Sequence, residues 1–216
     1  MKVLITAGPT YEPIDPVRFI GNHSTGKMGY ALAEEFAAQG AQVTLVSGPT
    51  NLPDPTTASI QTIRVETADQ MYAAAREAAP AADVWVFAAA VADYKPRNVA
   101  EQKIKKDGDT LTLELVKNVD IARALGEIKR AEQFSVGFAL ETNNEVAHAQ
   151  DKLRRKNFDL IVLNSLRVPG AGFRHDTNKV TLLDAGGQMT NFELKPKADV
   201  ARDIVRTVLA RLSREA

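Results

Sequence analysis

The chain has no cysteine, and its 27 basic residues are matched by 27 acidic ones. Without a thiol there is no disulfide, no thiolate metal site and no cysteine nucleophile. With the charges balanced, no global field marks the protein for nucleic acid or an anionic membrane, so any anion site has to be local. No apolar run approaches a membrane span, and Met1-Lys2-Val3 opens directly into an apolar strand without a signal-peptide pattern. These absences predict a cytoplasmic protein that partners neither nucleic acid nor membrane. The content that remains, 44% hydrophobic and 25% charged, is that of a globular chain. Its 216 residues suit a single domain spanning 1–216.

Short apolar segments alternate with helical patterns, the signature of a mostly parallel sheet covered on both faces. The strand candidates are Val3–Thr6, Val43–Val46, Ile60–Val65, Val84–Ala88, Ser135–Ala139 and Leu160–Leu163. Between them, Met28, Leu32 and Phe36 recur four apart before Gly40, Met71 and Ala75 follow the cap residue Thr67, and Ile121 and Leu125 follow Asp120. A last helix carrying Val200, Ile204, Val208 and Leu212 starts near Asp199. The right-handed crossover preference makes a Rossmann-like, doubly wound α/β fold the expectation. Two stretches break the rhythm and predict a hairpin-rich extension. Lys103–Leu115 alternates around Asp107-Gly108, and Val180–Leu194 alternates around Ala185-Gly186-Gly187.

Such a sheet favours a nucleotide at the carboxyl ends of its strands. Gly21-Asn22-His23-Ser24-Thr25-Gly26-Lys27-Met28 has the glycine and lysine spacing of a phosphate-binding loop but ends in a thioether where a magnesium-ligating hydroxyl belongs. Phosphate affinity at the helix start survives that change, since it needs only free amides and the helix dipole; a plain helix-starting turn is the alternative. The dinucleotide fingerprint is absent. The first strand is followed by Gly8-Pro9-Thr10 and the second ends at Ser47-Gly48 with no ribose-binding acid.

Ala88-Ala89-Ala90-Val91-Ala92-Asp93 brings a buried strand into small residues and then an acid. Small side chains admit a flat ring to the backbone, and Asp93 could hold a ribose or a metal, or simply cap a turn. Lys103-Ile104-Lys105-Lys106, if a strand, puts Lys103 and Lys105 on one face, which also describes an ordinary protected edge. Asp120 is a helix cap or a magnesium ligand. Lys152 and Lys156, four apart on a predicted helix, share a face that is either solvated or turned to phosphates. The three histidines, His23, His148 and His175, form no metal set, and His23 reads as a turn residue.

Together Gly8-Pro9-Thr10, Glu12, Ile14-Asp15-Pro16-Val17-Arg18, Asn22-His23-Ser24, Gly26-Lys27-Met28-Gly29, Ala89-Ala90-Val91-Ala92-Asp93-Tyr94, Lys103-Ile104-Lys105-Lys106, Gly137-Phe138 and Glu141-Thr142-Asn143 resemble bacterial phosphopantothenoylcysteine synthetase over nearly the whole chain. The resemblance implies a ligase that joins 4′-phosphopantothenate to L-cysteine in coenzyme A synthesis. CTP would be the co-substrate with Mg²⁺, and the intermediate an acyl-cytidylate. It implies that Phe87, Ala88, Ala89 and Phe138 frame the base and sugar, beside Val119, Asp120, Ile121 and Ala122. Asp93 and Asp120 would lie near ribose and metal, with Lys152 and Lys156 on the phosphates. Lys103 would stabilise charge in the first step, Asn22 would orient the acyl-cytidylate for the second, and Arg18 would serve the pantothenate side from a neighbouring subunit of a homodimer. Gly170–Asn178 would form a lid. The family commonly occurs fused to a flavin-dependent decarboxylase. Without the resemblance, a reductase or other nucleotide-binding domain and a non-catalytic interaction module fit the same pattern.

Overall fold

The computed structural model describes residues 1–106, 108–141, 145–165 and 175–215. Its first strand, β1 (Lys2–Ala7), is buried from Val3 onward on both sides, which requires a sheet covered on both faces. In chain order there follow β2 (Tyr11–Pro13), β3 (Phe19–Gly21), α1 (Lys27–Ala38), β4 (Gln42–Ser47), β5 (Ile60–Arg64), α2 (Ala68–Ala78), β6 (Val84–Phe87), β7 (Tyr94–Pro96) and β8 (Leu115–Lys117). The chain continues through α3 (Ile121–Gly126), β9 (Phe134–Glu141), α4 (Glu145–Arg155), β10 (Leu160–Ser165), β11 (Thr177–Asn178), β12 (Val180–Asp184), β13 (Met189–Asn191), β14 (Lys195–Pro196) and α5 (Lys197–Glu215).

Eight strands form one sheet in the order β13-β12-β10-β9-β6-β1-β4-β5. The run from β5 to β10 is parallel, and β12 and β13 extend it antiparallel. The order reverses at β1, where the chain crosses from β5 back over to β6 on the other side. This topological switch opens a crevice between the carboxyl ends of β1 and β6.

Residue alternation assigns the two cores. Val3 and Ile5 point to the side holding Leu32 and Phe36 of α1 and Val200, Ile204 and Val208 of α5. Leu4 and Trp85 point to the other, with Met71 and Ala75 of α2, Ile121 and Leu125 of α3, and Ala149 and Leu153 of α4. Thr67 caps α2, as the sequence pattern anticipates, and the structure adds that the cap is a reciprocal box with Gln70. Helix α1 needs two glycines. Gly26, its N-cap, has φ 78°, and a Cβ on Gly29 would stand 2.5 Å from the Cβ of Ala7. The helix start is thereby pressed against the end of β1.

One expectation is corrected. Lys103–Leu115 is not a hairpin: the described residues between Pro96 and Leu115 carry no strand, and Asp107, in the expected turn, lies outside the described residues. The hairpin arms are instead β7 and β8, paired antiparallel with Tyr94 opposite Lys117. Alternation makes a strand only where one face has something to cover, and Leu111, like Lys103 and Lys105, is exposed. The Val180–Leu194 hairpin does form, as β12 and β13, and adds to the main sheet. Among the described residues, no helix is long and apolar enough to cross a membrane.

Candidate functional site

The crevice at the switch point is a cleft of about 910 Å³. Its central wall is the Ala88–Ala92 segment, which prolongs β6 alongside Gly8–Thr10. The Ala88 amide donates to the Thr6 carbonyl at 3.0 Å, Ala90 to Gly8 at 2.8 Å, and Ala92 to the Thr10 hydroxyl at 3.0 Å. Alternate backbone groups are thus consumed in the ladder, and the small side chains leave a shallow surface on which a planar group can rest.

One end of this wall meets the start of α1. Ser24, Thr25, Gly26, Lys27 and Gly29 line the cleft here, and no side chain caps the helix. Its amino-terminal dipole therefore faces the crevice. Asn22 sits on the rim, its Nδ2 donating to the carbonyls of Ala90 at 2.9 Å and Val91 at 3.3 Å. Lys27 pairs with Asp176 at 2.5 Å, a contact that holds the Asp176 carboxyl below its ordinary value. Lys197, at the start of α5, is 8% exposed and donates to the His175 carbonyl at 2.6 Å. Burial lowers its ammonium pKa, and the charge of Lys27 lowers it further, with Asp176 opposing both.

The opposite end is built by β8, α3 and α4. Asp120 does cap α3, accepting the Arg123 amide at 3.2 Å, and its Oδ1 also takes the Lys156 ammonium at 2.8 Å. Lys152 reaches the Phe138 carbonyl at 3.3 Å. Asn118 and Asn164 also line the cleft.

Of the residues singled out in the sequence, Asn22, Phe87, Ala88, Ala89, Asp93, Val119, Asp120, Ile121, Ala122, Phe138, Lys152 and Lys156 all line this one cleft. Lys103 and Arg18 do not. Arg18 is bound to the buried Asp15, through Nε at 3.0 Å and Nη2 at 2.5 Å, and its Nη2 also donates to the Ile104 carbonyl at 3.0 Å. Asp15 accepts the amides of Val17, Arg18 and Ile104 as well. The Arg18 guanidinium, aided by these amides, holds the Asp15 carboxyl well below the usual carboxylate range against the opposing effect of burial. The exposed Lys103 is thereby fastened, through its neighbour Ile104, to the turn that carries Arg18.

Lys27, Asn118, Asn164, Asn178 and Lys197 are cleft residues without a site role in the sequence reading. Lys27 carried a signal in its glycine turn. Asn164, Asn178 and Lys197 arrive from β10, β11 and α5, and no local spacing links them. Of the expected lid Gly170–Asn178, residues 170–174 lie outside the described residues, as do Thr142 and Asn143; Thr177–Asn178 forms β11 against β14.

Among the described residues, no group of three or more histidine, aspartate or glutamate side chains is assembled for a metal ion. Asp93 and Asp120 are both exposed carboxylates on the cleft, and Asp120 Oδ1 is engaged by Lys156; Mg²⁺ takes one or two such carboxylates beside substrate phosphates. The arrangement can seat a planar ring on a backbone wall and neutralise a polyanion from a helix start and several ammonium groups.

The chain matches the DNA/pantothenate metabolism flavoprotein C-terminal domain over residues 1–212. It is 50% identical over 208 residues to a protein of an unknown prokaryotic organism named cysteine/cysteine sulfinic acid decarboxylase, covering 96% of this chain and 58% of that one. It is 46% identical over 211 residues to the coenzyme A biosynthesis bifunctional protein CoaBC of Haemophilus influenzae (strain ATCC 51907 / DSM 11121 / KW20 / Rd), covering 98% and 52% respectively. The chain spans about half the length of these curated relatives. A crystal structure of the C-terminal domain of a coenzyme A biosynthesis bifunctional protein CoaBC aligns with TM-score 0.82 at 42% identity, covering 99% of this chain and 98% of that one. The DNA/pantothenate metabolism flavoprotein from Streptococcus pneumoniae shares the fold, with TM-score 0.84 at 23% identity, covering 98% and 99%. The chain belongs to the family of DNA/pantothenate metabolism flavoprotein C-terminal domains.

Proposed function

We propose that this chain is a cytoplasmic phosphopantothenate–cysteine ligase, one nucleotide-binding unit over residues 1–216, working in coenzyme A synthesis. The observation that carries the reading is the convergence, on one cleft at the sheet's switch point, of an alanine wall, an uncapped helix start and the lysines Lys27, Lys152 and Lys156. That chemistry suits a phosphoanhydride, and it favours a ligase over the decarboxylase for which one relative is named. The bifunctional name of the CoaBC relative supports a natural context fused to a flavin-dependent decarboxylase.

The carboxylate of 4′-phosphopantothenate attacks the α-phosphorus of CTP, and the bond to the β-phosphate oxygen breaks to release pyrophosphate. The amine of L-cysteine then attacks the acyl carbon of the acyl-cytidylate, loses a proton, and expels CMP. Attack of an anion on a polyanion needs alignment and charge neutralisation more than it needs a general acid. The cytidine rests on Phe87, Ala88 and Ala89, bounded by Phe138 and by Val119, Ile121 and Ala122. Lys152 and Lys156 take the phosphates, and Asn22 aligns the acyl group. Asp93 and Asp120 would hold Mg²⁺, which when bound would neutralise part of the triphosphate charge. Lys103 stabilises charge in the first step and Arg18 serves the pantothenate side; as both stand outside the cleft of their own chain, this reading assigns them to the cleft of a second copy in a homodimer. This reading puts the shared face at the exposed apolar residues of the neighbouring hairpins, Phe19 and Leu115.

Pyrophosphate release, followed with 4′-phosphopantothenate and either CTP or ATP, tests the reading. Release that requires the acid and prefers CTP is expected; no acid-dependent release with either nucleotide overturns it.

A further inference from the structure

The β7–β8 hairpin continues the alanine wall beyond Asp93, and one of its cross-strand pairs belongs to the cleft. Tyr94 stands opposite Lys117, and both residues line the cleft. The Asn118 amide donates to the Asp93 carbonyl at 2.9 Å, a bond that brackets this pair from outside. Tyr94 and Lys117 therefore exchange no backbone bond of their own, and their side chains stand close together on one face. That face is the open one. Tyr94 and Lys117 are exposed, whereas Lys95 and Val116, on the other face, are half-buried.

The Lys117 ammonium is also uncommitted. Of the other cations on the cleft, Lys27 is paired with Asp176, Lys156 with Asp120, Arg123 with Glu127 and Arg155 with Asp151, while Lys152 and Lys197 each donate to a carbonyl. Lys117 has no ion pair or side-chain hydrogen bond among the described residues. The ligase reaction brings two phosphorylated substrates into this cleft. Lys152 and Lys156 serve the nucleotide. The acid carries its own phosphate at the end remote from its carboxylate, and Arg18, assigned to the acid, is already neutralised by Asp15.

We propose that Lys117 and Tyr94 form the subsite for the phosphate of the acid substrate, a phosphomonoester carried next to a dimethyl-substituted carbon. The inference deepens the ligase reading above and rests on it. Lys117 supplies the positive charge and the Tyr94 hydroxyl a further donor, while the Tyr94 ring offers an apolar face to the methyl groups. The spacing along the wall agrees. Asn22, which aligns the acyl group, is bonded to the Ala90 carbonyl, and Tyr94 comes four residues later, at most about 14 Å away. The extended acid places its phosphorus on the order of 10 Å from its carboxyl carbon. A phosphate held by Lys117 and Tyr94 thus leaves the carboxylate beside Asn22.

Calorimetric binding of 4′-phosphopantothenate and of pantothenate, which lacks the phosphate, tests this on the full chain in the presence of CTP whose α,β-bridging oxygen is replaced by methylene. The unaltered chain is expected to bind the phosphorylated acid about tenfold or more tightly. Lys117→Met keeps the stem and removes the charge, so it should bring the two acids close to equal affinity, with Lys117→Arg restoring most of the difference. In turnover, Lys117→Met should raise KM for 4′-phosphopantothenate while KM for CTP holds. Equal affinity of the unaltered chain for the two acids, or binding of neither, overturns the inference. So does a Lys117→Met chain that keeps the full preference, or one whose loss falls on the nucleotide. If the preference collapses in Lys117→Met but the unaltered chain releases no pyrophosphate from CTP with the acid, the ligase reading fails and the phosphate subsite stands.

Discussion

The side-chain amide of Asn22 donates to the Ala90 carbonyl at 2.9 Å, tying the rim beside α1 to the middle of the alanine wall. Replacing Nδ2 with an oxygen would set two acceptors against each other and turn the side chain away from the wall. Asn22→Asp is therefore expected to leave activation intact and to stall the second step. Rapid quench with labelled 4′-phosphopantothenate should show acyl-cytidylate accumulating, with amide formation slowed roughly 100-fold. Amide and pyrophosphate appearing at equal, unslowed rates would remove Asn22 from the second step.

Lys103 is exposed, so its removal should act on chemistry and not on folding. Lys103→Gln is expected to slow pyrophosphate release roughly 100- to 1,000-fold, the usual loss for a group that stabilises transition-state charge, with an unchanged melting temperature. If two copies share each site, mixing Lys103→Gln chains with Asn22→Asp chains should restore part of the turnover, because a mixed dimer contains one cleft with both residues intact. No recovery after verified exchange of subunits would place Lys103 beside its own cleft.

What could be read from the sequence follows the range of the forces involved. The six parallel strands and the helices between them are legible because each is buried on a face that repeats within a few residues, as with Val3 and Ile5 against Leu4. The Thr67 box and the Asp120 cap are legible because capping is local. The β7–β8 pair is not legible, because the alternation at Leu111 and Leu113 carries no information about which residues have a partner. The corner formed by Lys27, Asp176 and Lys197 is set by the meeting of α1 and α5, an event that no short window of sequence records. Lys117 stands in view beside Asn118, but only the structure shows that Tyr94 is its cross-strand partner and that both line the cleft.

Asp15 makes its turn sensitive to acid. Its folded-state carboxyl is depressed, chiefly by Arg18, so the stability it contributes is complete above the unfolded-chain value of about 4 and declines as pH falls below that value. Asp15→Asn would leave the Arg18 guanidinium without its carboxylate and replace one acceptor oxygen with a donor facing amides. A melting temperature lower by roughly 5 °C at neutral pH is expected, with the gap to the unaltered chain closing as both are taken below about pH 4. Because Asp15 also holds the Ile104 amide, the loop carrying Lys103 should become more open to limited proteolysis in this variant. A constant gap between the two chains across the acid range would show that the ionised carboxylate contributes nothing to stability.

Gly29 tests whether the close seat of α1 matters to the cleft. A methyl group there would stand 2.5 Å from the Cβ of Ala7 and 3.2 Å from its Cα, and both atoms belong to a central strand that cannot move aside. Alanine would otherwise favour the helix, so propensity alone predicts stabilisation of up to about 1 kcal/mol. Overpacking against a rigid strand costs roughly 1–3 kcal/mol and should prevail. Urea denaturation of Gly29→Ala is accordingly expected to show a lower midpoint with an unchanged slope. Since relief of the clash lifts the amino end of α1 away from the crevice, nucleotide affinity should fall together with stability. Gly40→Ala, at a position with φ 83° and open space around it, would lose stability through backbone strain without moving the helix start. Equal loss of nucleotide affinity in both variants would mean that stability, and not the seat of α1, governs binding.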